Sequence, residues 1–313
     1  MESEVLIEAR GLTRRYGPTV AVENLNLTLR KGEILGLLGP NGAGKSTTMK
    51  MLTGNLSPSA GSVTISGVVL HEDPKAAKRH LGYLPEQPPV YPELTVDEYL
   101  SFCAGLHGVA KPERAAAVAA AKRDCGLGDV GPRLVGNLSK GYQQRVGIAQ
   151  AIIHRPPVVI LDEPTVGLDP IQIREIRNLI AELGRNHSVI LSSHILPEIQ
   201  AVCGRVMIIA RGQVVYNDSI EATRAGHFSA VIVGLRRPPD AAKLKAIDGV
   251  TRVTALDDTR FRIDCAKQAD PRDAIAAAAA QQDWGLYELA AQTHTLEEIF
   301  VELTSGEDVR SAA

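Results

Sequence analysis

Runs of apolar side chains, and alternation of apolar with polar ones, predict a series of strands in the first part of the chain. Residues 25–29 alternate leucine with polar residues, the pattern of a strand with one buried face, and residues 5–7 predict a short strand before it. Three other runs are apolar throughout, which is typical of strands buried on both faces of a parallel sheet. These runs are residues 34–38, 158–161 and 189–191. We therefore expect an α/β protein.

Helical segments are predicted between these strands. One helix is expected over residues 47–52, another over residues 74–80, and helical structure from about residue 95 to 128. Within that last region, the alanine-rich residues 115–121 are expected to form an exposed helix surface. Residues 170–183 have an amphipathic pattern and predict a further helix. Strands and helices therefore alternate along this part of the chain.

The order of predicted elements changes beyond about residue 222. Strands and helices then follow as β-α-β-β-α-β, the order of a ferredoxin-like α+β domain of about ninety residues. The strands are expected over residues 228–233, 250–256, 261–265 and 284–291, the helices over residues 238–247 and 271–282, and a last helix over residues 296–303. We predict two domains, residues 1–222 and 223–313, with Phe228, Phe261 and Trp284 in the core of the second.

Composition and charge narrow the class of protein. The 313 residues are 44% hydrophobic and 22% charged with a net charge of −2, which describes an ordinary globular protein and argues against a nucleic-acid binder. The acidic N-terminus does not resemble a signal peptide, and no apolar run is long enough to span a membrane. The four cysteines are widely separated, so we expect reduced packing thiols and a cytosolic location.

A glycine-rich stretch between a predicted strand and a predicted helix fits the phosphate-binding loop pattern of nucleoside triphosphatases. It comprises Gly39, Pro40, Asn41, Gly42, Ala43, Gly44, Lys45, Ser46 and Thr47. Its glycines let backbone N–H groups point inward toward phosphate oxygens. Lys45 is expected to reach the β- and γ-phosphates, and the Ser46 hydroxyl to ligate Mg²⁺. The alternative is a glycine-rich turn with a chance Lys-Ser pair.

Two acidic side chains end a buried strand predicted over residues 158–163, and a histidine follows another buried strand. Asp162 is expected to ligate Mg²⁺, and Glu163 to orient and deprotonate an attacking water. Adjacent carboxylates on a strand point to opposite sides, which separates the two roles. His194 follows the next strand, where it could contact the γ-phosphate. The alternatives are a solvated acidic turn and a structural histidine.

Two further positions have more than one interpretation. Tyr16 lies before the strand that precedes the phosphate loop, so it could stack on an adenine ring or be a surface or core aromatic. Ser139 is predicted to cap the N-terminus of a helix. With Gly141 beside it, this helix start could bind an anion, or it could be a capped helix and nothing more.

The order of these motifs resembles the nucleotide-binding subunit of an ATP-binding cassette (ABC) transporter over residues 1–222. The resemblance implies a P-loop fold with a RecA-like core, an antiparallel β subdomain and a helical subdomain. It implies that two copies face head to tail and enclose two ATP molecules. Ser139 and Gly141 would then contact the γ-phosphate bound by the opposite copy, and Asp169 would lie at the dimer seam. It also favours adenine stacking for Tyr16 and a switch role for His194.

The chain departs from the family pattern at two places. Lys140 and Tyr142 stand where the family commonly has glycine and glutamine, and Lys140 could strengthen ATP binding or face solvent. The loop glutamine of the family aligns with Glu86, whereas Gln87 is one position late. Either residue could take the loop's role, and Glu86 could join the network of Mg²⁺ and water. Both departures resemble those of exporter-type members, including gliding-motility and drug-export proteins.

The resemblance implies an ATPase that drives a separate membrane permease, in export, from the cytoplasmic face of the cell membrane. The second domain is expected to serve dimerisation or regulation, with its last helix packed back on the body. Two alternatives remain. One is a soluble ABC ATPase acting in translation or DNA repair, and the other is a regulatory protein in which ATP only orders the structure.

Overall fold

The chain divides into two compact units. The computed structural model describes residues 4–221, 228–266, 269–293 and 296–305. The two units are Met1–Asp218 and Ser219–Ala313. The predicted domain boundary at residues 222 and 223 lies outside the described residues.

The first unit contains two sheets and seven helices in the part described. Its strands are β1 (Val5–Tyr16), β2 (Thr19–Arg30), β3 (Ile34–Leu38), β4 (Ala60–Ile65), β5 (Val68–Val69), β6 (Leu81–Leu84), β7 (Val158–Leu161), β8 (Ser188–Ser193), β9 (Arg205–Ala210) and β10 (Gln213–Ser219). Its helices are α1 (Lys45–Leu52), α2 (Pro74–Arg79), α3 (Val96–Leu106), α4 (Arg114–Asp124), α5 (Lys140–Ile152), α6 (Pro170–Leu183) and α7 (Leu196–Val202).

The central sheet has the strand order β10-β9-β3-β8-β7-β6. Strand β3 pairs in parallel with β8 and β9, and β7 pairs in parallel with β6 and β8. All residues of β7 and β8 are buried, which confirms the prediction made from their apolar runs. The carboxyl ends of parallel strands share one edge, so the segments that follow β3, β7 and β8 are brought together.

A second sheet has the order β2-β1-β4-β5 and antiparallel pairing. Strands β1 and β2 each span 12 residues, far more than the predicted short strands. The register of this pair shifts four times, including between Ala9 and Leu12. Each shift breaks the alternation of apolar and polar side chains, which is why the pattern revealed only fragments of the two strands.

Helices α3 and α4 and the 3₁₀ turn Lys111–Glu113 occupy the region predicted to be helical between residues 95 and 128. The alanine-rich α4 was expected to be exposed, and this was wrong in part. Val118, Ala120 and Ala121 are buried, because α4 packs against α3 and α5 and small side chains allow close helix contact.

The second unit contains an antiparallel sheet and three helices in its described part. Its strands are β11 (Phe228–Leu235), β12 (Val250–Ala255), β13 (Arg260–Cys265) and β14 (Leu286–Thr293), and its helices are α8 (Ala241–Lys245), α9 (Arg272–Gln281) and α10 (Leu296–Ser305). The strand order is β12-β13-β11-β14. Phe261 and Trp284 lie in its core as predicted, whereas the side chain of Phe228 is outside the described part. All four cysteines are free thiols.

Candidate functional site

The phosphate-loop residues connect β3 to α1 and close around the side chain of Lys45. Gly44 has a φ of 107°, and a Cβ on it would lie 2.7 Å from the carbonyl oxygen of Ala21. Only glycine fits at this position. The Lys45 side chain is 5% exposed, and its ammonium donates to the carbonyl oxygens of Gly39 at 2.7 Å and Pro40 at 3.2 Å. The loop therefore holds a buried cation at the start of α1.

A row of three charged or ionisable side chains crosses the site. The Lys45 Nζ lies 3.2 Å from Glu163 Oε1, and His194 Nδ1 lies 2.9 Å from Glu163 Oε2. Strand β7 ends at Leu161, so Asp162 and Glu163 follow the strand instead of lying on it as predicted. Glu163 has a φ of 47°, which turns the chain there and separates the two carboxylates.

Asp162 accepts hydrogen bonds from two serines. The Ser192 hydroxyl donates to Asp162 Oδ1 at 2.7 Å and the Ser46 hydroxyl at 3.3 Å. Burial raises the pKa of Asp162; these hydrogen bonds lower it, and the carboxylates of Glu163 and Glu86 raise it further. The carboxyl group of Asp162 therefore lies beside Ser46 and close enough to Glu163 and Glu86 for their charges to interact.

Lys45, Glu163 and His194 line one cavity of about 370 Å³. Its lining comprises Ala21, Asn41, Gly42, Gly44, Lys45, Ser46, Thr47, Glu86, Glu163, Val166 and His194. The structure thus brings together most of the predicted phosphate loop, the acid after β7 and the histidine after β8. Glu86 and Gln87 are both exposed, but Glu86 lines the cavity and Gln87 does not.

Tyr16 does not line this cavity. It is the last residue of β1 and is 48% exposed. The guanidinium carbon of Arg14 lies 4.6 Å from the centre of its ring.

The chain matches known proteins over most of its length. A family model described as ABC transporter matches residues 22–166. The uncharacterized ABC transporter ATP-binding protein YdbJ of Bacillus subtilis (strain 168) is 32% identical over 306 residues, which is 97% of this chain and 97% of YdbJ. The chain is an ATP-binding subunit of the ABC transporter family. The bacitracin transport ATP-binding protein BcrA of Bacillus licheniformis is 41% identical over 210 residues, 66% of this chain and 68% of BcrA.

A solved structure has the same fold as part of this ABC subunit. The bacterial ABC transporter cassette MJ0796, described as dimeric, is 25% identical and superimposes with a TM-score of 0.62. The match covers 68% of this chain and 98% of MJ0796. Among the described residues of the ABC subunit, no helix is long and apolar enough to cross a bilayer.

The remaining predicted residues of the ABC subunit form a second group around the N-termini of α5 and α6. Ser139 caps α5 as predicted, accepting from the Tyr142 N–H at 3.4 Å. Asp169 caps α6, accepting from the N–H groups of Ile171 and Gln172 at 2.9 Å.

Lys140 and Gly141 connect the two helix starts of this second group. The Lys140 ammonium lies over the α-carbon of Gly167, where a side chain on that glycine would stand, and the Gln172 side chain lies against Gly141. None of the predicted residues in the group lines the cavity.

Serine and threonine hydroxyls of the ABC subunit were missed by sequence reasoning. The Ser192 hydroxyl accepts from the Glu163 N–H at 2.8 Å as well as donating to Asp162. Ser193 and Thr165 both donate to the buried Glu198. The paired serines at the end of an apolar run were the available signal, because polar side chains inside a buried strand need partners.

Proposed function

We propose that this ABC subunit hydrolyses ATP in the cavity lined by the phosphate loop, Glu163 and His194. The observation that carries the proposal is the buried Glu163 carboxylate, 3.2 Å from the Lys45 ammonium and 2.9 Å from the His194 ring. A chain that only bound ATP would have no need of a base at this point. The base is held by two groups that can also contact a terminal phosphate.

The roles follow from the chemistry of each side chain. Backbone N–H groups of the phosphate loop bind phosphate oxygens, and Lys45 offsets the negative charge of the β- and γ-phosphates. Glu163 orients a water and accepts one of its protons as the water oxygen bonds to the γ-phosphorus and the bond to the ADP oxygen breaks. His194 holds Glu163 in position and contacts the γ-phosphate.

The oxygen donors beside Lys45 fit Mg²⁺, which prefers a few protein oxygens together with water and phosphate ligands. Ser46 and Asp162 would hold the ion, and Glu86 would reach it through water. No three acidic, histidine or cysteine side chains converge as a metal cage in the described ranges, which is in keeping with an ion that relies on phosphate and water. When bound, Mg²⁺ supplies positive charge at the phosphate oxygens.

We also propose that two copies associate head to tail around ATP. Ser139, Lys140, Gly141 and Asp169 would then contact the nucleotide held by the partner subunit. Their distance from the cavity of their own chain supports this, since none of them lines it. The dimeric description of the MJ0796 cassette supports it as well.

The proposed role in the cell is to drive a separate permease, in export, from the cytoplasmic face of the membrane. BcrA is named for bacitracin transport, and YdbJ, which matches almost the whole chain, is named as an ABC transporter protein. These names do not favour a soluble ATPase of translation or DNA repair. The proposed permease contact is the loop over residues 86–92 with the helices after it, where Tyr91 of the loop and Phe102 of α3 are each 46% exposed and their ring centres lie 5.9 Å apart.

We infer that residues 1–222 form the ATPase domain and that residues 223–313 form a ferredoxin-like accessory domain for dimerisation or regulation. The strand order β12-β13-β11-β14 with antiparallel pairing supports the second assignment. The two compact units support a division of the chain near this boundary.

The experiment that tests the proposed function compares wild-type chain with Glu163→Gln. We expect the variant to bind ATP and to lose hydrolysis, by about 10²-fold or more, because an amide cannot accept the proton. Equal hydrolysis by both proteins would refute the role of Glu163. An absence of hydrolysis in the wild type would instead favour the regulatory alternative.

The same variant tests the partner. The Glu163→Gln protein is incubated with solubilised membranes and ATP and is then captured. We expect a polytopic membrane protein to be captured with it. Ribosomes or DNA-repair proteins in its place would favour the soluble alternative. Capture without ATP gives the matched control, since the closed dimer needs the nucleotide.

A further inference from the structure

A buried carboxylate lies behind the cavity, outside the set of residues assigned to ATP. Glu198 in the first turn of α7 is 4% exposed. Its Oε2 atom accepts hydrogen bonds from Thr165 Oγ1 at 2.7 Å and from Ser193 Oγ at 2.8 Å. Both donors are neutral hydroxyls, and burying a carboxylate on such partners is costly. A leucine or methionine would fill the space with no desolvation penalty, so packing alone does not explain Glu198.

The two hydroxyls come from the two segments that meet in the cavity. Ser193 directly precedes His194, and its Oγ also accepts from the N–H of Ile195, the residue that directly follows the histidine, at 3.0 Å. This hydrogen bond joins the two neighbours of His194. Thr165 lies two residues after Glu163 in a turn closed by the Val166 N–H on the Glu163 carbonyl oxygen at 3.1 Å. Each hydroxyl therefore belongs to the same short turn as a residue of the proposed reaction.

The turn of Thr165 also leads to the second group of residues. The Leu168 N–H donates to the Thr165 carbonyl oxygen at 3.2 Å, and Asp169 follows as the cap of α6. A displacement of Thr165 would thus move both the base in the cavity and the residue proposed to lie at the dimer seam.

Helix α7 is a fixed support for this arrangement. Ile199, the residue after Glu198, is fully buried, and its side chain lies where a Cβ on Gly36 of β3 would stand, with Cγ2 2.6 Å from that position. Such close packing leaves α7 little freedom to move relative to the central sheet. Because Glu198 lies on this helix, it holds both turns in place relative to β3, the strand that precedes the phosphate loop.

We propose that Glu198 is a positioning residue that fixes the turn after β7 to the turn after β8. Its carboxylate sets the separation of Glu163 and His194, whose own contact of 2.9 Å also links these segments, as does the Glu163 N–H bond to the Ser192 hydroxyl. The inference rests on the proposed hydrolysis of ATP. It adds a residue that touches no substrate and acts through Thr165 and Ser193.

The test uses the full chain with Glu198→Ala, Glu198→Gln and Thr165→Val, measuring kcat and KM per ATP-binding site. Misplacement of reacting groups by a fraction of an ångström lowers kcat, so we expect Glu198→Ala to lose about 10- to 100-fold with KM little changed. Glu198→Gln retains an oxygen acceptor and should recover most of kcat. Thr165→Val alone should lower kcat, whereas the double variant Thr165→Val with Glu198→Ala should have the same kcat as Glu198→Ala alone. Thr53→Val, which alters another buried hydroxyl remote from these turns, is the matched control.

A merely structural role predicts a different result. Glu198→Ala would then reduce the number of ATP-binding sites and leave kcat per site unchanged, and this outcome would overturn the proposal. Additive losses for Thr165→Val and Glu198→Ala would also contradict it.

A second measurement does not depend on hydrolysis. Ring resonances of His194 in NMR spectra should shift in Glu198→Ala and stay in place in Glu198→Gln. Unmoved resonances in both would refute the proposal. If the wild type binds ATP without hydrolysing it, the proposed function fails while this measurement still decides the role of Glu198.

Discussion

At the scale of single residues, the cavity contains a charge pair that is shielded from water. The side chains of Lys45 and Glu163 are 5% and 8% exposed, and their charged atoms are 3.2 Å apart. Removing one partner of a buried pair leaves the other charge desolvated and uncompensated. His194 lies on the other side of Glu163 and compensates only when it is protonated.

The pair predicts an effect on stability that is separate from catalysis. In nucleotide-free protein, Lys45→Ala should lower the free energy of unfolding of the first unit by about 3 kcal/mol. Adding Glu163→Gln should restore part of this loss, because the buried charge is then gone. Denaturant unfolding of the two single variants and the double variant measures the coupling. A double variant as unstable as the sum of the two single variants would contradict the prediction.

Glu86 and Gln87 offer a test of the loop that follows β6. Glu86 lines the cavity and raises the pKa of Asp162, whereas Gln87 does neither. Replacing Glu86 by Gln removes a negative charge near the proposed cation site, which should increase the Mg²⁺ concentration for half-maximal ATP hydrolysis by about 3- to 10-fold. Gln87→Ala is the control and should leave the Mg²⁺ dependence unchanged. A larger effect at Gln87 would reverse the assignment.

At the scale of elements, the ends of α3 and α5 meet through two histidines. His107 follows α3 and His154 follows α5; their rings are parallel within 5° and 4.0 Å apart. Neither ring nitrogen of His154 makes a hydrogen bond of good geometry within the described residues. The pKa of His154 is lowered from 6.5 to about 4, mainly by burial and then by the neighbouring His107 and His187, while the backbone of Leu81 acts in the opposite direction. Burial lowers the pKa of His107 as well.

This pair predicts that mild acid destabilises the first unit. A histidine whose pKa is lower in the folded than in the unfolded chain takes up a proton more readily when unfolded. The free energy of unfolding is therefore at its full value above about pH 6.5 and falls as the pH drops toward 4. After allowance for partial exposure of the ring, we expect a loss of about 1–2 kcal/mol between pH 7 and 5.

Thermal unfolding at pH 7 and pH 5 measures the effect of His154. The difference between the two midpoints should shrink in His154→Asn, which cannot be protonated. His71→Asn changes an exposed histidine, 67% exposed beside Glu72, and should keep the wild-type difference. If His154→Asn showed the full wild-type loss on acidification, the titrating group would have to lie elsewhere.

Prediction from sequence succeeded where a signal is local. Helix α6 spans Pro170–Leu183 as predicted, because Asp169 caps it and proline suits its first turn. The phosphate loop and the acids after β7 were likewise marked by consecutive residues. The link between Thr165 and Glu198 was not marked in this way, because its hydrogen bond joins positions 33 residues apart in the chain. Such a link depends on strand order, which no local pattern specifies.

At the scale of the whole molecule, every residue that lines the cavity belongs to the first compact unit, Met1–Asp218. The same is true of the group around Ser139, Lys140 and Asp169. The second unit has a core of its own, which includes Val233, Phe261 and Trp284. Each unit thus has the buried apolar surface that independent folding requires.

This division predicts what a chain ending at residue 221 can do. We expect it to fold and to bind ATP with a Kd within about 2-fold of the full chain, because the cavity is intact. If the second unit serves dimerisation or regulation, the truncated chain should differ from the full chain in its ATP-dependent dimerisation, its hydrolysis rate or its coupling to the permease.

Analytical ultracentrifugation of the Glu163→Gln variants of the truncated and the full chain measures dimerisation apart from the other two properties, since neither variant consumes the nucleotide. A truncated chain equal to the full chain in all three would leave the second unit without the proposed role, whereas loss of ATP binding would show that the cavity depends on more than the first unit.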